Sequence, residues 1–380
     1  MATAYARINP DILNWARERA QLSVPALASK LKVTEDKIEA WESGEQPPTF
    51  KQAQNFASKT HIPFGYLYLK HPPEENLPLP DLRTVSGRHP NRPSPELIEI
   101  AQTILRRQEW YAEYLRDQGI KRNPHVGRFS VDSCIAEVVQ DMRRVLGLPP
   151  HPKRGTWDDY LRLLIRKIED TSILVMRQGF IRHHTRLLSV QEFRGFAISD
   201  PLAPVIFINQ ADVPSARLFT LIHELAHIWI GKSGISDASP DTHRKEEVFC
   251  NAVAAEFLVP EVEFKAYWQE TENWKDNLSV LEAHFRVSTW VIARRALSLG
   301  NISLDDYRGY VDELLEQYRK KEKSQGGPTY YQARKGQISE TFSKALVSEA
   351  LSGRVLLRDA GNLLNMKPHK IAVYAKELGI

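Results

Sequence analysis

Apolar residues recur at helical spacing through the first 70 residues of the chain. The apolar positions are Leu13, Ala16, Leu22, Leu27 and Leu31. Ser23 and Thr34 are natural N-caps, and Pro47-Pro48 interrupts the chain before a further helix that begins at Thr49. The order of helix, tight turn, helix, break and helix predicts a helix-turn-helix domain over residues 8–70.

A proline-rich stretch follows this domain. Residues 71–95 hold seven prolines, a density that prevents regular structure, so we expect a linker there. Amphipathic helices are predicted beyond it over residues 95–118, 131–146 and 157–170. We therefore interpret residues 96–150 as a helical connector.

The hydrophobic period then changes from that of helices to that of strands. Three short runs rich in apolar and β-branched residues, 172–176, 193–198 and 205–208, predict strands. The third run is either an edge strand, against which an extended peptide can lie, or an interior strand. From Pro214 onward the pattern is helical again. The predicted fold class is thus α+β, mainly helical, with a small sheet.

Composition argues against a secreted, a membrane-spanning and a disulfide-rich protein. The mean hydropathy is −0.40, and the N-terminus lacks the basic-then-apolar order of a signal peptide. No apolar run approaches the roughly 20 residues that a membrane span needs. Cys134 and Cys250 are the only cysteines, too few for a disulfide scaffold or an all-cysteine zinc site. We therefore expect a cytoplasmic protein in a reducing compartment.

The net charge of +4 is unevenly distributed along the chain. Residues 1–72 hold nine Lys/Arg against seven Asp/Glu, and residues 320–380 hold eleven against five, so the remainder carries a net −4. The basic surplus at the C-terminal end makes that end the better candidate for contact with nucleic acid.

One segment carries recognisable metal chemistry, the HExxH motif His223-Glu-Leu-Ala-His227. Histidines four residues apart on a helix share a face, so both imidazoles can bind one metal ion, typically zinc. Glu224 lies beside them and can take a proton from a metal-activated water molecule. Pro214 near the start and Gly231 at the end support the helix. The alternative is a pair of histidines that only pack on a buried helix.

A catalytic zinc site needs a third protein ligand and one position for water. The candidates that follow the motif are His243, Glu246, Glu247 and Glu256. Glu247 opens a helical segment whose small residues allow close helix packing, which favours it. For this residue the alternative is an ordinary glutamate in the first turn of a helix, and Glu246 competes with it as the ligand.

Two stretches resemble signatures of the ImmA/IrrE metallopeptidases. Phe219-Thr-Leu-Ile-His-Glu-Leu-Ala-His227 is similar to their zinc-binding helix, and Glu247–Pro260 (EVFCNAVAAEFLVP) is similar to their second signature, E-x-x-A-N-x-F-A-x-x-L-L-x-P. Residues 195–198 and 205–209 also look like strands of that family, so the resemblance covers roughly 155–300. The chain departs from the second signature at Cys250, Val253 and Phe257. None of these positions is a metal ligand in the family.

The resemblance implies a zincin-like metallopeptidase domain over residues 151–300. It makes Glu247 the third zinc ligand beside His223 and His227, and it leaves Glu224 as the general base that later returns the proton to the leaving amine. The same donor set accepts Mn²⁺ or Fe²⁺. The tetrahedral oxyanion formed during hydrolysis also needs a hydrogen-bond donor, and four side chains are candidates: His183, His184, His243 and Tyr267. For each of them the alternative is a solvated side chain with no such role.

The flanking segments resemble regulatory modules. The run Leu22–Leu31 (LSVPALASKL) and the later Trp41-Glu-Ser-Gly44 make residues 8–70 similar to Xre-type helix-turn-helix domains. The second helix of that motif, here 34–43, enters the major groove in such domains. That helix carries four acids against one lysine, a poor surface for phosphates, so DNA binding and protein interaction are both open. We interpret residues 301–380 as a basic C-terminal helical module, and its tail, 339–380, resembles the small C-terminal helical module of longer ImmA/IrrE proteins. It is either a second DNA contact or a solvated helical cap.

These features predict a regulatory zinc endopeptidase that cleaves a transcriptional repressor or partner protein encoded nearby. The alternative is a non-proteolytic DNA-binding regulator, or the antitoxin of a toxin–antitoxin pair. Glu224 favours the enzyme, because a purely structural metal site has no need of a general base. The expected partners are the protein substrate and DNA, without a membrane, and a homodimer is compatible with the sequence.

Overall fold

The computed structural model describes residues 5–80, 93–181, 186–236, 242–321 and 336–380, with side chains omitted for 318–321. These ranges contain sixteen α-helices and a four-stranded sheet, which confirms the mainly helical α+β fold class. The chain divides into two compact units, and one boundary falls within helix α5 (Pro95–Asp117), between Ile100 and Ala101. The domain limits drawn from the sequence stay predictions.

The first unit is a small helical bundle with its own core. Its helices are α1 (Pro10–Arg19), α2 (Val24–Leu31), α3 (Glu35–Glu42), α4 (Phe50–Lys59) and a 3₁₀ turn at Phe64–Tyr68. Ser23 Oγ accepts a hydrogen bond from the Ala26 N–H, and Thr49 forms a capping box with Gln52, so two of the predicted starts are capped as expected. Lys32 ends α2 at a φ of 57°. The order of helices matches the prediction, and a helix-turn-helix function stays a prediction.

Helices of the second unit precede its sheet. They are the remainder of α5, α6 (Ile135–Leu146) and α7 (Trp157–Glu169). Helix α6 begins four residues later than the predicted start at 131. The reason is local, since the Ser133 hydroxyl accepts a hydrogen bond from the Ser130 N–H at 3.0 Å, and this side-chain bond competes with a helical turn.

The four strands are β1 (Leu174–Gln178), β2 (Gly195–Ile198), β3 (Val205–Asn209) and β4 (Gly234–Ser236). Their order across the sheet is β1-β3-β2-β4. Strand β3 pairs in parallel with β1 and antiparallel with β2, and β2 pairs antiparallel with β4. The edge-strand interpretation of Val205–Asn209 is therefore wrong, because β3 is interior. The three-residue strand β4, which the sequence analysis missed, forms an edge instead.

The remaining helices complete the second unit. They are α8 (Pro214–Trp229), α9 (Lys245–Leu258), α10 (Glu261–Tyr267), α11 (Asp276–Phe285), α12 (Thr289–Ser298), α13 (Leu304–Lys321), α14 (Glu340–Leu351), α15 (Leu357–Leu364) and α16 (Ile371–Leu378). Helix α8 packs against β2, β3, α9 and α12. Every residue from Leu218 to Trp229 is buried, so α8 is a central helix of the second unit.

The C-terminal helices are joined to the second unit by polar bonds. Arg107 Nε on α5 donates to the Leu363 carbonyl oxygen at 2.8 Å, and the backbone and hydroxyl of Thr341 donate to Glu169 at 3.3 and 3.2 Å. Two features separate α15 from α16. The first is a turn at Asn365, whose φ is 50°, and the second is a 3₁₀ segment at Pro368–Lys370. Among the helices described, none has both the length and the apolar content needed to cross a bilayer.

Candidate metal centre

The C-terminal end of α8 is fixed by contacts from the connector. The N–H groups of Gly127 and Phe129 donate to the Ile228 and Trp229 carbonyl oxygens at 3.0 and 3.1 Å, which satisfies carbonyls that a helix end leaves unpaired. The Trp229 indole N–H donates to Asp141 Oδ2 at 3.0 Å. These bonds hold the last turn of α8, which carries His227, against the loop that precedes α6.

Three side chains with metal-binding atoms meet between α8 and α9. His223 Nε2 and His227 Nε2 lie 3.2 Å apart. The Glu247 carboxylate oxygens lie 3.3 Å from His223 Nε2 and 3.1 Å from His227 Nε2. Close packing of the two helices, with Ala226 and Ala254 buried in the same core, allows this approach. The structure thus brings together the three residues that were predicted as ligands.

The geometry of these donors fits a divalent metal ion. Zn–N and Zn–O bonds of about 2.0–2.1 Å in tetrahedral coordination place neighbouring ligand atoms about 3.3 Å apart, close to the observed 3.1–3.3 Å. Both Glu247 carboxylate oxygens are buried and have no hydrogen-bond partner among the described residues. Buried polar atoms without partners are costly, and a shared cation satisfies them.

The protonation states favour the same interpretation. Burial alone would raise the pKa of Glu247, but the nearby imidazoles, His223 first, lower it to about 2. Burial lowers the pKa of His223, although the Glu247 carboxylate opposes that shift. An ionised carboxylate and neutral imidazole are the forms that bind a metal ion.

Glu224 occupies a separate position from the three candidate ligands. Its Oε1 accepts a hydrogen bond from Ser236 Oγ at 2.5 Å, whereas its Oε2 is buried without a partner among the described residues. Burial, together with the charge of Glu247, raises the pKa of Glu224 well above its usual range, and the bond from Ser236 opposes this rise. The carboxyl is therefore held at one oxygen and available at the other.

Gly195 on β2 makes room for this carboxyl. A Cβ at that position would lie 2.7 Å from Glu224 Oε1 and 2.8 Å from the Phe207 carbonyl oxygen, both closer than van der Waals contact allows. Gly195 also pairs with Ser236 in the register of β2 and β4. The strand pair therefore leaves space for Glu224 and supplies its hydrogen-bond donor.

The other candidates for the third ligand lie elsewhere. Glu246 is half-buried and His243 is exposed, and neither belongs to the cluster. Glu256 lies further along α9 and accepts a hydrogen bond from Arg295. Of the residues considered from sequence, the structure places Glu247 beside the two histidines.

The four oxyanion candidates stay predictions. Tyr267 packs its ring on His284 with the centroids 4.0 Å apart. His183 and His184 lie outside the described residues. Two residues that position Glu224 were missed, Ser236 and the glycine at 195. A glycine inside a predicted strand, here Gly195, is a weak sign that another group comes close to the backbone. Ser236 gave no such sign, because its strand has only three residues and was not predicted.

Comparison with known families agrees with this geometry. Residues 169–297 match the model of the Peptidase M78 family, described as the IrrE N-terminal-like domain. Residues 338–377 match a domain of unknown function, DUF8813. No curated protein matches the chain. The first match contains all four strands, the HExxH helix and Glu247, and a metallopeptidase domain implies a divalent metal ion. Residues 169–297 are therefore an IrrE N-terminal-like peptidase domain, which confirms the resemblance to the ImmA/IrrE family over that part of the chain.

Proposed function

We propose that this protein is a metal-dependent endopeptidase of regulatory type, which cleaves a transcriptional repressor or partner protein encoded nearby. The observation that carries the proposal is the combination of three convergent donor atoms with a separate buried carboxyl on the same helix. His223, His227 and Glu247 would hold the ion, preferably Zn²⁺. Glu224 would be the general base.

The chain's own residues account for the proton transfers of peptide hydrolysis. When bound, the ion supplies Lewis acidity toward water and toward the scissile carbonyl group. Glu224 accepts a proton from the attacking water at Oε2 while Ser236 keeps Oε1 in place. Glu224 then returns the proton to the leaving amine. A glutamine at position 224 cannot carry out either transfer.

The outer edge of β4 supports a site for an extended substrate. Strand β4 is at the end of the sheet, and its inner edge pairs with β2. The Ile235 N–H donates to the Pro80 carbonyl oxygen at 2.9 Å, so a segment of the chain itself already bonds to this strand. We infer that a substrate peptide would add to the same edge, next to Ser236 and Glu224.

The burial of the centre favours regulated cleavage over digestion. The side chains of His223, Glu224, His227 and Glu247 are each 0% exposed. A protein substrate reaches them only when part of the surrounding chain moves. Such a protein would cleave selectively, in response to a partner or signal that opens the site.

Incubation of the purified protein with the products of neighbouring genes tests this proposal. Intact-mass spectrometry should find one cut in a neighbour's product with the wild type and no cut with Glu224→Gln. Glu246→Gln is the matched control, since this carboxylate lies outside the cluster, and it should cleave like the wild type. Equal cleavage by Glu224→Gln would refute the assignment of the general base.

A second candidate function is DNA-binding regulation without proteolysis, including an antitoxin role. It is favoured by the helix-turn-helix order of α2 and α3 and by exposed Lys367 and Lys376 at the C-terminal end. The neighbouring gene separates the candidates. A small repressor beside the gene favours the peptidase, whereas a nuclease toxin favours the antitoxin.

A further inference from the structure

A second group of metal-binding side chains lies outside the HExxH centre. We propose that His151, Glu263 and His284 form an exchangeable site for a divalent transition-metal ion, with Zn²⁺ as the first expectation. One ligand atom from each residue lies within 4.8 Å of the others. Two imidazoles and a carboxylate are a donor set suited to zinc and its neighbours in the first transition row.

The distances within the group match shared coordination. His151 Nε2 lies 3.1 Å and His284 Nε2 lies 3.2 Å from the same Glu263 oxygen, Oε2. Tetrahedral coordination with bonds of about 2.0–2.1 Å places neighbouring ligand atoms about 3.3 Å apart. The two imidazole centroids are 4.8 Å apart, and the rings are inclined by 48°. Both ring nitrogens therefore point to one carboxylate oxygen from different directions.

The surrounding residues hold these rings in place. Phe285 packs edge-on against both imidazoles, with centroid distances of 5.5 Å to His151 and 4.7 Å to His284. Tyr267 covers His284 at 4.0 Å. Arg143 donates to the carbonyl oxygen of Pro150, the residue before His151, and so fixes the backbone there. Rings whose orientation is already restricted lose little entropy when they bind an ion.

Solvent access distinguishes this group from the HExxH centre. The side chains of His151, Glu263 and His284 are 19%, 38% and 24% exposed, whereas the ligands of the HExxH centre are fully buried. An ion at the partly exposed group can enter and leave without a movement of the fold. We therefore expect weaker and faster exchange there than at the HExxH centre.

The site would join three segments that are distant in sequence. His151 lies in the loop before α7, Glu263 on α10 and His284 on α11. His151 also lies before the start of the family match at residue 169, so the peptidase domain model does not contain the complete group. An ion bound here would tie that loop to α10 and α11 and would stabilise the folded chain.

Without an ion, the same geometry supports two ordinary hydrogen bonds. Each imidazole would then donate its Nε2–H to Glu263 Oε2. The two interpretations differ in one measurable property, the number of Zn²⁺ ions that the chain binds. The test does not depend on catalysis, so its failure is separate from failure of the proposed function.

The experiment uses the full-length, tag-free protein, stripped with a chelator and then titrated with Zn²⁺ by calorimetry and against a chromophoric chelator. The wild type should bind two ions per chain, one tightly and one weakly. His151→Ala and His284→Ala should each remove the weak site and keep the tight one. The affinity loss should exceed the roughly 10–100-fold that loss of an outer-shell group costs. His227→Ala should remove the tight site and keep the weak one.

Two controls keep the outcome decisive. His369→Ala removes an exposed histidine far along the chain and should still bind two ions. Glu263→Gln keeps the size of the side chain, so it should weaken the second site without unfolding the protein, as far-UV circular dichroism in the chelator would show. A wild type that binds only the ion lost in His227→Ala would overturn the proposal. So would a weak site that persists in both His151→Ala and His284→Ala.

Discussion

Ser236 Oγ donates a hydrogen bond of 2.5 Å to Glu224 Oε1, and both side chains are fully buried. This bond joins β4, the shortest strand, to the helix that carries the HExxH motif. Since one carboxylate oxygen is held in this way, the other keeps a fixed orientation. The strand thus positions the carboxyl that we propose as the general base, although it contributes none of the proposed metal ligands.

Replacement of Ser236 tests this positioning role. Ser236→Ala should keep the metal and the fold but lower kcat about 10- to 100-fold, because a hydrogen bond to a charged group contributes about 1.5–3 kcal/mol. KM should change little. Ser236→Thr keeps the hydroxyl and should restore much of the rate. Cleavage by Ser236→Ala at the wild-type rate would contradict the role given to this bond.

A methyl group at position 195 should disturb the same carboxyl. In Gly195→Ala the new Cβ would lie 2.7 Å from Glu224 Oε1 and 2.8 Å from the backbone oxygen of Phe207, which is fixed in the paired strand. We expect a loss of about 1–3 kcal/mol in the free energy of unfolding, measured by urea denaturation, together with loss of cleavage.

Gly309→Ala is the matched control for that substitution. A Cβ at Gly309 has no neighbour within 4 Å, and the residue lies inside helix α13. Alanine should stabilise this helix by about 0.5–1 kcal/mol and leave cleavage unchanged. If both glycine variants had the same stability and activity, the close approach at position 195 would have no consequence.

Removal of one histidine should abolish tight metal binding. His227→Ala should lose the ion that the wild type keeps through gel filtration, measured by inductively coupled plasma mass spectrometry. A ligand at 100 times its Kd stabilises the folded state by about 2.7 kcal/mol, so a chelator should lower the Tm of the wild type more than that of the variant. His243→Ala, an exposed histidine near α9, should behave like the wild type. Full metal content in His227→Ala would eliminate the site.

Much of the candidate metal centre follows from sequence because its parts are local. The spacing of His223 and His227 fixes their common helix face, and Glu247 opens the next helix in the chain. The same local logic identified β1 to β3. It could not place β3 inside the sheet, because a strand's own pattern does not show which strands pair with it, and β3 pairs with both β1 and β2. Strand β4 has only three residues and is too short to leave a pattern.

Other features could not be predicted from the sequence, because they bring together residues that are far apart in the chain. His151 and Glu263 are 112 residues apart, and no periodicity relates them. The sequence alone left Glu256 as a candidate ligand, because it does not show the ion pair of this residue with Arg295. Arg17 likewise binds Glu42 at 2.8 Å, so one of the four acids counted on the helix 34–43 is neutralised within the first unit. Charge counted along the sequence thus overstates the acidity of that helix.

The location of DNA affinity is the last prediction. Lys367 and Lys376 are exposed and Lys370 is half-buried at the C-terminal end, whereas α3 exposes the acids Glu35 and Asp36. Deletion of the C-terminal segment is a poor test, since Thr341 and Leu363 are bonded to other parts of the unit. We therefore choose the triple substitution of the three lysines by alanine, which leaves those contacts in place.

Neutralisation of phosphates dominates nonspecific affinity, and each contact contributes about 0.9 to the slope of log K against log salt. The triple variant should bind DNA more weakly, and its slope should fall by up to about 3, as measured by fluorescence anisotropy at several salt concentrations. Its matched control replaces Lys30, Lys37 and Lys51 in the first unit by alanine and should change the slope less. The opposite ranking would place the DNA contact in the first unit, despite its acids. Absence of binding by the wild type would favour protein interaction as the role of both ends.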